Sequence, residues 1–207
     1  MIVDFNKKLD LMIPDPKCEL NYNRDYELLI AVVLSAQCTD KRVNIVTGEL
    51  FSKYDIYGLA KANLKDIENI IRSCGSYTKK AVYINEIAKS LVDKYNGVVP
   101  NDREYLEGLP GVGHKTANVV LSHLFDVPAI AVDTHVERVS KRLKLVSKND
   151  NVKIIENKLM KKVPKELWSR THYQLVLFGR YICTAKKPNC DKCLFYNDCS
   201  CKDKRLL

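Results

Sequence analysis

Residues 106–135, LEGLPGVGHKTANVVLSHLFDVPAIAVDTH, constrain the fold of this chain more than any other segment. A turn at 109–113 contains two glycines and a proline, and the spacing of apolar residues after it predicts a helix over 114–125. A short apolar run follows and ends in the polar triplet 133–135. The chain must therefore turn sharply, enter a helix and then bring three polar residues to the edge of its core.

The glycine turn has the features of a phosphate-binding site. Gly111 and Gly113 permit positive φ and leave the backbone uncovered, so consecutive N–H groups can point outward where the helix begins. Unpaired N–H groups and the helix dipole both favour a bound anion. Lys115 follows in the first helical turn, where the dipole disfavours a cation and so favours the neutral, nucleophilic amine. The simpler interpretation is a plain turn, a surface lysine and a helix-capping Asp133.

Apolar residues recur at helical spacing along the whole chain, which indicates an all-α fold. The 207 residues are 46% hydrophobic, enough for one domain or two small ones with a real core. No alternating strand pattern of useful length is present. After a short helical start, helices are predicted over 24–36, 39–54, 64–73, 78–95, 100–106, 114–125, 136–145, 151–163 and 167–181.

The charge of the chain favours a polyanionic partner. Lys and Arg number 34 against 25 Asp and Glu, which gives a formal net charge of +9. No segment approaches the roughly 20 apolar residues of a membrane span, and the N-terminus lacks the pattern of a secretory signal. We therefore expect a cytoplasmic protein, associated with the nucleoid if the chain is bacterial or archaeal.

Five of the eight cysteines lie near the C-terminus, which indicates a metal centre. Cys183, Cys190, Cys193 and Cys199 follow the pattern C-x6-C-x2-C-x5-C. Four thiolates suit either tetrahedral zinc or an iron–sulfur cluster, and the spacing alone leaves both open. Disulfides are disfavoured, because no secretory signal accompanies the cysteines. Cys201 is a spare cysteine that could replace Cys199 as a ligand.

The segment LPGVGHKTANVV followed by VDTHV resembles the hairpin and catalytic segment of the endonuclease III family of DNA glycosylases. The similarity runs from LLIAVVLSAQCTD to the last cysteines. It implies a six-helix module over 20–127, with a helix–hairpin–helix motif at about 106–125. It also implies a second helical domain, made of 1–19 and 128–207 and separated from the module by a cleft. The cysteines, which follow the FGR triplet at 178–180, would then hold a [4Fe–4S] cluster in a loop over 183–199.

The same resemblance implies a bifunctional base-excision repair enzyme. It would remove oxidised pyrimidines and cleave abasic sites by β-elimination through a Schiff base on Lys115, with Asp133 assisting across the cleft. The expected partner is double-stranded DNA with damaged bases or abasic sites, and the expected state is a monomer. The residues expected to contact DNA are Gln37, Leu109, Gly111, Gly113, His135, Lys186 and Lys187.

One position departs from the family pattern. Ser76 stands where the family commonly has a bulky apolar residue, so the resemblance does not indicate the preferred lesion.

Two other functions are compatible with parts of this pattern. A glycosylase for mismatches or other bases is disfavoured by Lys115, because relatives without an amine there are expected not to cleave the strand. A non-enzymatic iron–sulfur DNA-binding protein is disfavoured by Asp133 and Gln37, because a protein that only binds DNA needs neither residue. For Lys186 and Lys187, the alternative to DNA contact is that they offset the charge of four thiolates.

Overall fold

The computed structural model describes residues 2–201, and this part of the chain is helical with no β-strand. The expected all-α fold is therefore confirmed. Glu19–Phe125 form one compact unit, and the described residues before Glu19 and after Phe125 form the other. The α-helices are α1 (Ile2–Met12), α2 (Asp25–Leu34), α3 (Asp40–Lys53), α4 (Ile56–Lys61), α5 (Leu64–Ile71), α6 (Tyr77–Tyr95), α7 (Arg103–Glu107), α8 (His114–Phe125), α9 (Thr134–Arg142), α10 (Val152–Lys162) and α11 (Trp168–Tyr181).

Helix α2 is the centre of the Glu19–Phe125 unit. Nine of its ten residues are buried, because apolar side chains surround it on all sides and it packs against α3, α6 and α8. Burying each Leu or Ile contributes about 1.5–3 kcal/mol. The buried Lys80 on α6 donates from Nζ to the carbonyls of Leu34 (2.9 Å) and Ala36 (2.7 Å). It thereby satisfies carbonyl groups that the end of α2 leaves without helical partners.

Short polar side chains set where several of these helices begin. Thr39 accepts a hydrogen bond from the backbone N–H of Arg42 at the start of α3, and Asn151 accepts one from that of Ile154 at the start of α10.

Helix α4 is not among the helices predicted from the sequence, because six residues are too few to show a helical spacing of apolar residues. The usable signal was its N-cap, Asp55, which accepts from the backbone N–H of Gly58 at 2.7 Å.

The other unit joins α1 to α9, α10 and α11 around an aromatic core. The Phe195 ring lies 5.5 Å from that of Phe5 and 5.6 Å from that of Phe178, so the C-terminal loop is tied to α1 and α11. Helices α9 and α11 cross at Gly179, where an added Cβ would lie 2.9 Å from Cβ of His135. Glycine is therefore required for this close approach. Within residues 2–201, no helix combines the length and apolar character that crossing a membrane requires.

Candidate active site

The turn before α8 is held by its side chains and exposes its backbone. The N–H of Val112 donates to the carbonyl of Leu109 at 3.1 Å, with Pro110 and then Gly111 (φ +76°) between them. This is the sequence and geometry of a type II turn. Leu109 and Val112 are buried, whereas Gly111 is exposed. The buried side chains thus fix the turn on its core side and leave its backbone accessible on the solvent side, as a phosphate-binding turn requires.

The two glycines of this turn have different reasons to be glycine. Gly111 has positive φ, and an added Cβ would lie 2.5 Å from Cδ2 of Tyr83 on α6. Gly113 does not adopt the positive φ that its sequence permits, and an added Cβ would meet nothing within 4 Å. The fold therefore requires glycine at Gly111, whereas at Gly113 its contribution is an uncovered backbone.

We expect Gly111→Ala to lower the free energy of unfolding by about 1–3 kcal/mol, because the backbone of alanine is strained at positive φ and its methyl group overlaps Tyr83. The matched Gly113→Ala variant should stay within about 0.5 kcal/mol of the parent protein. Urea unfolding of both variants measures the difference. Equal stability of the two would show that the turn tolerates a side chain at Gly111.

Lys115 lies in the first turn of α8 and is exposed. Within Glu19–Phe125, no acceptor is bonded to its Nζ. Its neighbour His114 lies with Nδ1 3.2 Å from Oε1 of Glu107, which also accepts from Arg103 at 3.0 Å. Arg103 first, and then His114, lower the pKa of the Glu107 carboxyl. The Glu107 carboxylate is therefore paired with Arg103 and His114 at the start of the helix, and the Lys115 amine takes no part in these bonds.

Asp133 caps helix α9 in the other unit. Its Oδ1 accepts from the backbone N–H groups of His135 and Val136, both at 2.8 Å. The capping role named as the simpler interpretation is thus present in the structure. Among residues 2–201, no donor is hydrogen-bonded to Oδ2. Because the cap uses one oxygen and fixes the carboxylate, the second oxygen can serve chemistry without loss of the cap.

Two arginines on α9 hold the start of the cysteine loop, and sequence reasoning did not single them out. Arg138 donates to the carbonyls of Gly179 (2.7 Å) and Cys183 (3.2 Å), and its Nη2 lies 3.2 Å from Nδ1 of His135. Arg142 donates to the carbonyl of Thr184 at 2.7 Å and to that of the next residue at 3.0 Å. Their spacing of four residues places them on one face of α9 but does not indicate what that face contacts. These bonds fix the loop up to the point where the exposed Lys186 and Lys187 follow.

Five cysteines line one cavity in this unit: Cys183, Cys190, Cys193, Cys199 and Cys201, together with Arg142 and Phe178. Burial raises the pKa of the Cys183 thiol, which Arg142 opposes, and raises the pKa of the Cys193 thiol to about 11.

Polar groups in the cavity already point at sulfur. Nη1 of Arg142 lies 3.3 Å from Sγ of Cys183, and the backbone N–H of Cys201 donates to Sγ of Cys199 at 3.3 Å. Buried thiolates need such donors and a bound cationic group. The donor set therefore fits a thiolate-bound centre. Among residues 2–201, no three His, Cys, Asp or Glu side chains are placed to hold a single metal ion.

Gln37 and Ser76 occupy neighbouring exposed turns of the Glu19–Phe125 unit. Both have left-handed backbones, with φ of +55° and +57°, which is uncommon for residues other than glycine, asparagine and aspartate. An added Cβ on Gly75 would lie 3.8 Å from the carbonyl oxygen of Gln37, so the two turns adjoin. The structure thus brings Gln37, which is expected to contact DNA, and Ser76, which departs from the family pattern, to one part of the surface.

Comparison with known proteins identifies the family. Residues 30–165 match the HhH-GPD superfamily of base excision DNA repair proteins. Endonuclease III of Bacillus subtilis is 49% identical over 199 residues, which cover 96% of this chain and 91% of the relative. The chain belongs to the endonuclease III family. Endonuclease III of Escherichia coli K12 is 43% identical over 192 residues, which cover 92% of this chain and 90% of the relative.

Solved structures agree with this membership. A trapped endonuclease III–DNA covalent intermediate superposes with a TM-score of 0.91 at 50% identity, covering 97% of this chain and 96% of the other. A thermostable thymine-DNA glycosylase superposes with a TM-score of 0.80 at 27% identity, covering 95% and 97%. This endonuclease III family member is a base-excision DNA glycosylase and abasic-site lyase. The predicted family, fold and enzyme class are confirmed.

Proposed function

We propose that this enzyme removes oxidised pyrimidines from double-stranded DNA and cleaves the strand at the abasic site through a covalent Lys115 intermediate. The observation that carries the proposal is the exposed amine of Lys115, one residue inside α8 and directly after a turn with an open backbone. The superposed endonuclease III was trapped as a covalent intermediate with DNA, which supports a nucleophilic mechanism in this family.

The proposed reaction requires an amine. The Lys115 nitrogen attacks the sugar C1′ as the damaged base leaves, and loss of the amine proton with opening of the sugar ring gives a protonated Schiff base. This cationic imine acidifies C2′, which loses a proton, and the 3′ phosphate then departs by β-elimination. A hydroxyl or water nucleophile forms no imine, so the reaction would stop after base release and the strand would stay intact.

Asp133 is the proposed partner of this chemistry. Its Oδ1 is committed to the N-terminus of α9, which fixes the orientation of the carboxylate. We assign Oδ2 the assisting role, as a base that helps to generate the neutral amine and as an anion that stabilises the positive charge developing on the sugar. The cap and the catalytic role are therefore served by different oxygens of one side chain.

The DNA contacts proposed here divide into anchoring and filling. The backbone N–H groups of Gly111 and Gly113 would anchor a phosphate without reading sequence, since those of Leu109 and Val112 are bonded within the chain. His135 would hold the DNA backbone near Asp133, and Gln37 would fill the space left when the damaged base leaves the stack. Leaving the stack costs a few kcal/mol, least for a damaged base. Ser76 is too small to fill a second part of that space, so the lesion preference depends on other groups.

Cys183, Cys190, Cys193 and Cys199 are the proposed ligands of a [4Fe–4S] cluster. The support is the shared cavity, the C-x6-C-x2-C-x5-C pattern and the N–H donors that already point at sulfur. The cluster would supply a rigid cross-link in place of a larger core, rather than a reacting group. Its role would be to hold the loop whose exposed Lys186 and Lys187 meet phosphate.

The proposed extents are 20–127 for the six-helix module, and 1–19 with 128–207 for the iron–sulfur domain. Residues 1 and 202–207 of these ranges lie outside the described part of the chain. One chain carries both proposed catalytic residues, so a monomer acting on DNA in the cytoplasm is sufficient.

Salt dependence tests the proposed loop contact. We expect affinity for an abasic duplex to fall linearly with salt on logarithmic axes, because bound lysines displace counterions. Replacing both Lys186 and Lys187 by alanine should reduce the slope by about 2, roughly 1 for each phosphate contact. Fluorescence anisotropy titrations at several salt concentrations measure the slope. Lys161→Ala with Lys162→Ala, two exposed neighbours on α10, is the matched control and should leave it unchanged. If the two double variants changed the salt slope equally, the cysteine loop would not be part of the DNA interface.

Substrate class is tested by incubating the protein with duplexes that contain thymine glycol, an undamaged thymine or an abasic site. The proposal expects base release and strand cleavage at thymine glycol, cleavage at the abasic site, and no reaction with the undamaged duplex. Cleavage of the abasic duplex alone would contradict the assignment to oxidised pyrimidines.

A further inference from the structure

Two cysteines outside the terminal cluster lie in contact, although the proposed reaction uses neither. The Sγ atoms of Cys38 and Cys74 are 3.6 Å apart, and the two residues are separated by 36 positions in sequence. Cys38 lies in the turn between α2 and α3, and Cys74 in the turn between α5 and α6. Neither belongs to a helix, and each backbone N–H donates to the carbonyl three residues before it, that of Cys38 to Ser35 (3.0 Å) and that of Cys74 to Ile71 (2.8 Å). The two side chains can rotate while these bonds hold the backbone.

The two sulfur atoms differ in access. Cys38 is half-buried, whereas Cys74 is 1% exposed. Burial, and then the hydrogen bond with Cys38, raise the pKa of the Cys74 thiol to about 11. Because thiolate character and access govern oxidation, Cys38 is the sulfur that a small oxidant meets first. Cys74 is then placed as the resolving thiol.

We propose that Cys38 and Cys74 form a dithiol site that hydrogen peroxide converts to a disulfide. The Cys38 thiolate attacks one peroxide oxygen, the O–O bond breaks, and a sulfenic acid forms with release of hydroxide. The Cys74 sulfur then attacks the Cys38 sulfur and displaces the sulfenic oxygen, which leaves as water once the Cys74 proton is counted. In total, two thiols and one peroxide give one disulfide and two waters.

The required movement is small. A disulfide bond is about 2.05 Å long, so rotation of the two side chains and a small shift of the turns must close the remaining gap. Lys80 limits that shift, because its Nζ is bonded to the carbonyls of Leu34 and Ala36 just before Cys38. The Cys38 turn is therefore anchored at its helical end, and rotation of the Cys38 side chain must supply most of the movement.

The disulfide would act on the surface that the proposed function assigns to DNA. Gln37 directly precedes Cys38, and Ser76 lies two residues after Cys74. Closing the 3.6 Å gap would pull both turns away from their present positions, so the oxidised protein should bind an abasic duplex more weakly, by about tenfold. This consequence rests on the proposed function, whereas the disulfide does not.

Tryptic mapping of the full-length protein tests the site directly. Cleavage after Arg24, Lys41, Arg72 and Lys79 yields the peptides 25–41 and 73–79, each with a single cysteine. After hydrogen peroxide treatment, then iodoacetamide, we expect the two peptides to be joined, and to separate on reduction. The terminal cysteines lie in other peptides, so reactions of an iron–sulfur centre do not enter this measurement.

Cys18→Ser is the matched control and should still give the linked pair, whereas Cys74→Ser should leave Cys38 as a sulfenic or sulfinic acid. If both peptides remain carbamidomethylated, or Cys38 is overoxidised with Cys74 still a thiol, the proposal is overturned. Linked peptides with unchanged affinity for the abasic duplex would overturn the effect on binding. Linked peptides in a protein that binds no abasic duplex even when reduced would contradict the proposed function and leave the dithiol site standing.

Discussion

Lys115→Gln should reduce strand cleavage at an abasic site by roughly 10³-fold or more, because an amide cannot form the imine on which β-elimination depends. Binding should change little. One charge is lost, whereas the turn at 109–113 and the lysines of the cysteine loop keep the phosphate contacts proposed for them. Single-turnover cleavage and anisotropy titrations on the same duplex measure the two quantities separately.

Lys89→Gln is the control for this prediction. Lys89 is an exposed lysine on α6 in the same unit, and no chemical role is assigned to it. Its removal lowers the net charge by the same amount and should leave cleavage close to that of the parent protein. If Lys115→Gln lost binding and cleavage in equal proportion, Lys115 would be a DNA-binding residue rather than the nucleophile.

Cys193→Ala should remove the iron and destabilise the protein by more than about 4 kcal/mol, because loss of a bound centre removes its binding free energy from folding. The loop around Cys193 contributes Phe195 to the aromatic core, so its loosening also affects α1 and α11. Iron analysis, visible absorption and thermal unfolding measure the three consequences.

Cys201→Ala is the matched variant in the same cavity and should keep its iron, since Cys199 is the proposed fourth ligand. A protein with full metal occupancy that contained zinc and no iron would contradict the cluster assignment. Equal iron loss in the Cys193→Ala and Cys201→Ala variants would show that Cys201, rather than Cys199, completes the ligand set.

Local patterns predicted most of the fold, because helix boundaries here depend on nearby residues. The helix predicted over 114–125 is α8, since a proline–glycine turn fixes its start and apolar spacing carries it to Phe125. Helix α4 was missed, because its six residues span less than two helical turns. Gly113 was expected to permit positive φ, yet only Gly111 of this turn uses it.

Features that depend on distant segments could not be predicted in the same way. Arg138 and Arg142 reach the cysteine loop only because α9 and α11 approach closely at Gly179, which single-helix spacing does not reveal. Cys38 and Cys74 are 36 positions apart in the sequence and meet because two turns adjoin. Residue type indicated the chemistry, whereas tertiary packing decided which groups act together.

Borohydride trapping tests the central claim most directly. Wild-type protein is incubated with a thymine glycol duplex under borohydride, and the covalent complex is digested with trypsin. Because a modified Lys115 resists cleavage, we expect DNA on a peptide spanning 104–138, and no complex from Lys115→Gln. Failure of the wild type to trap, or trapping on another peptide, would contradict the assignment of Lys115 as the nucleophile.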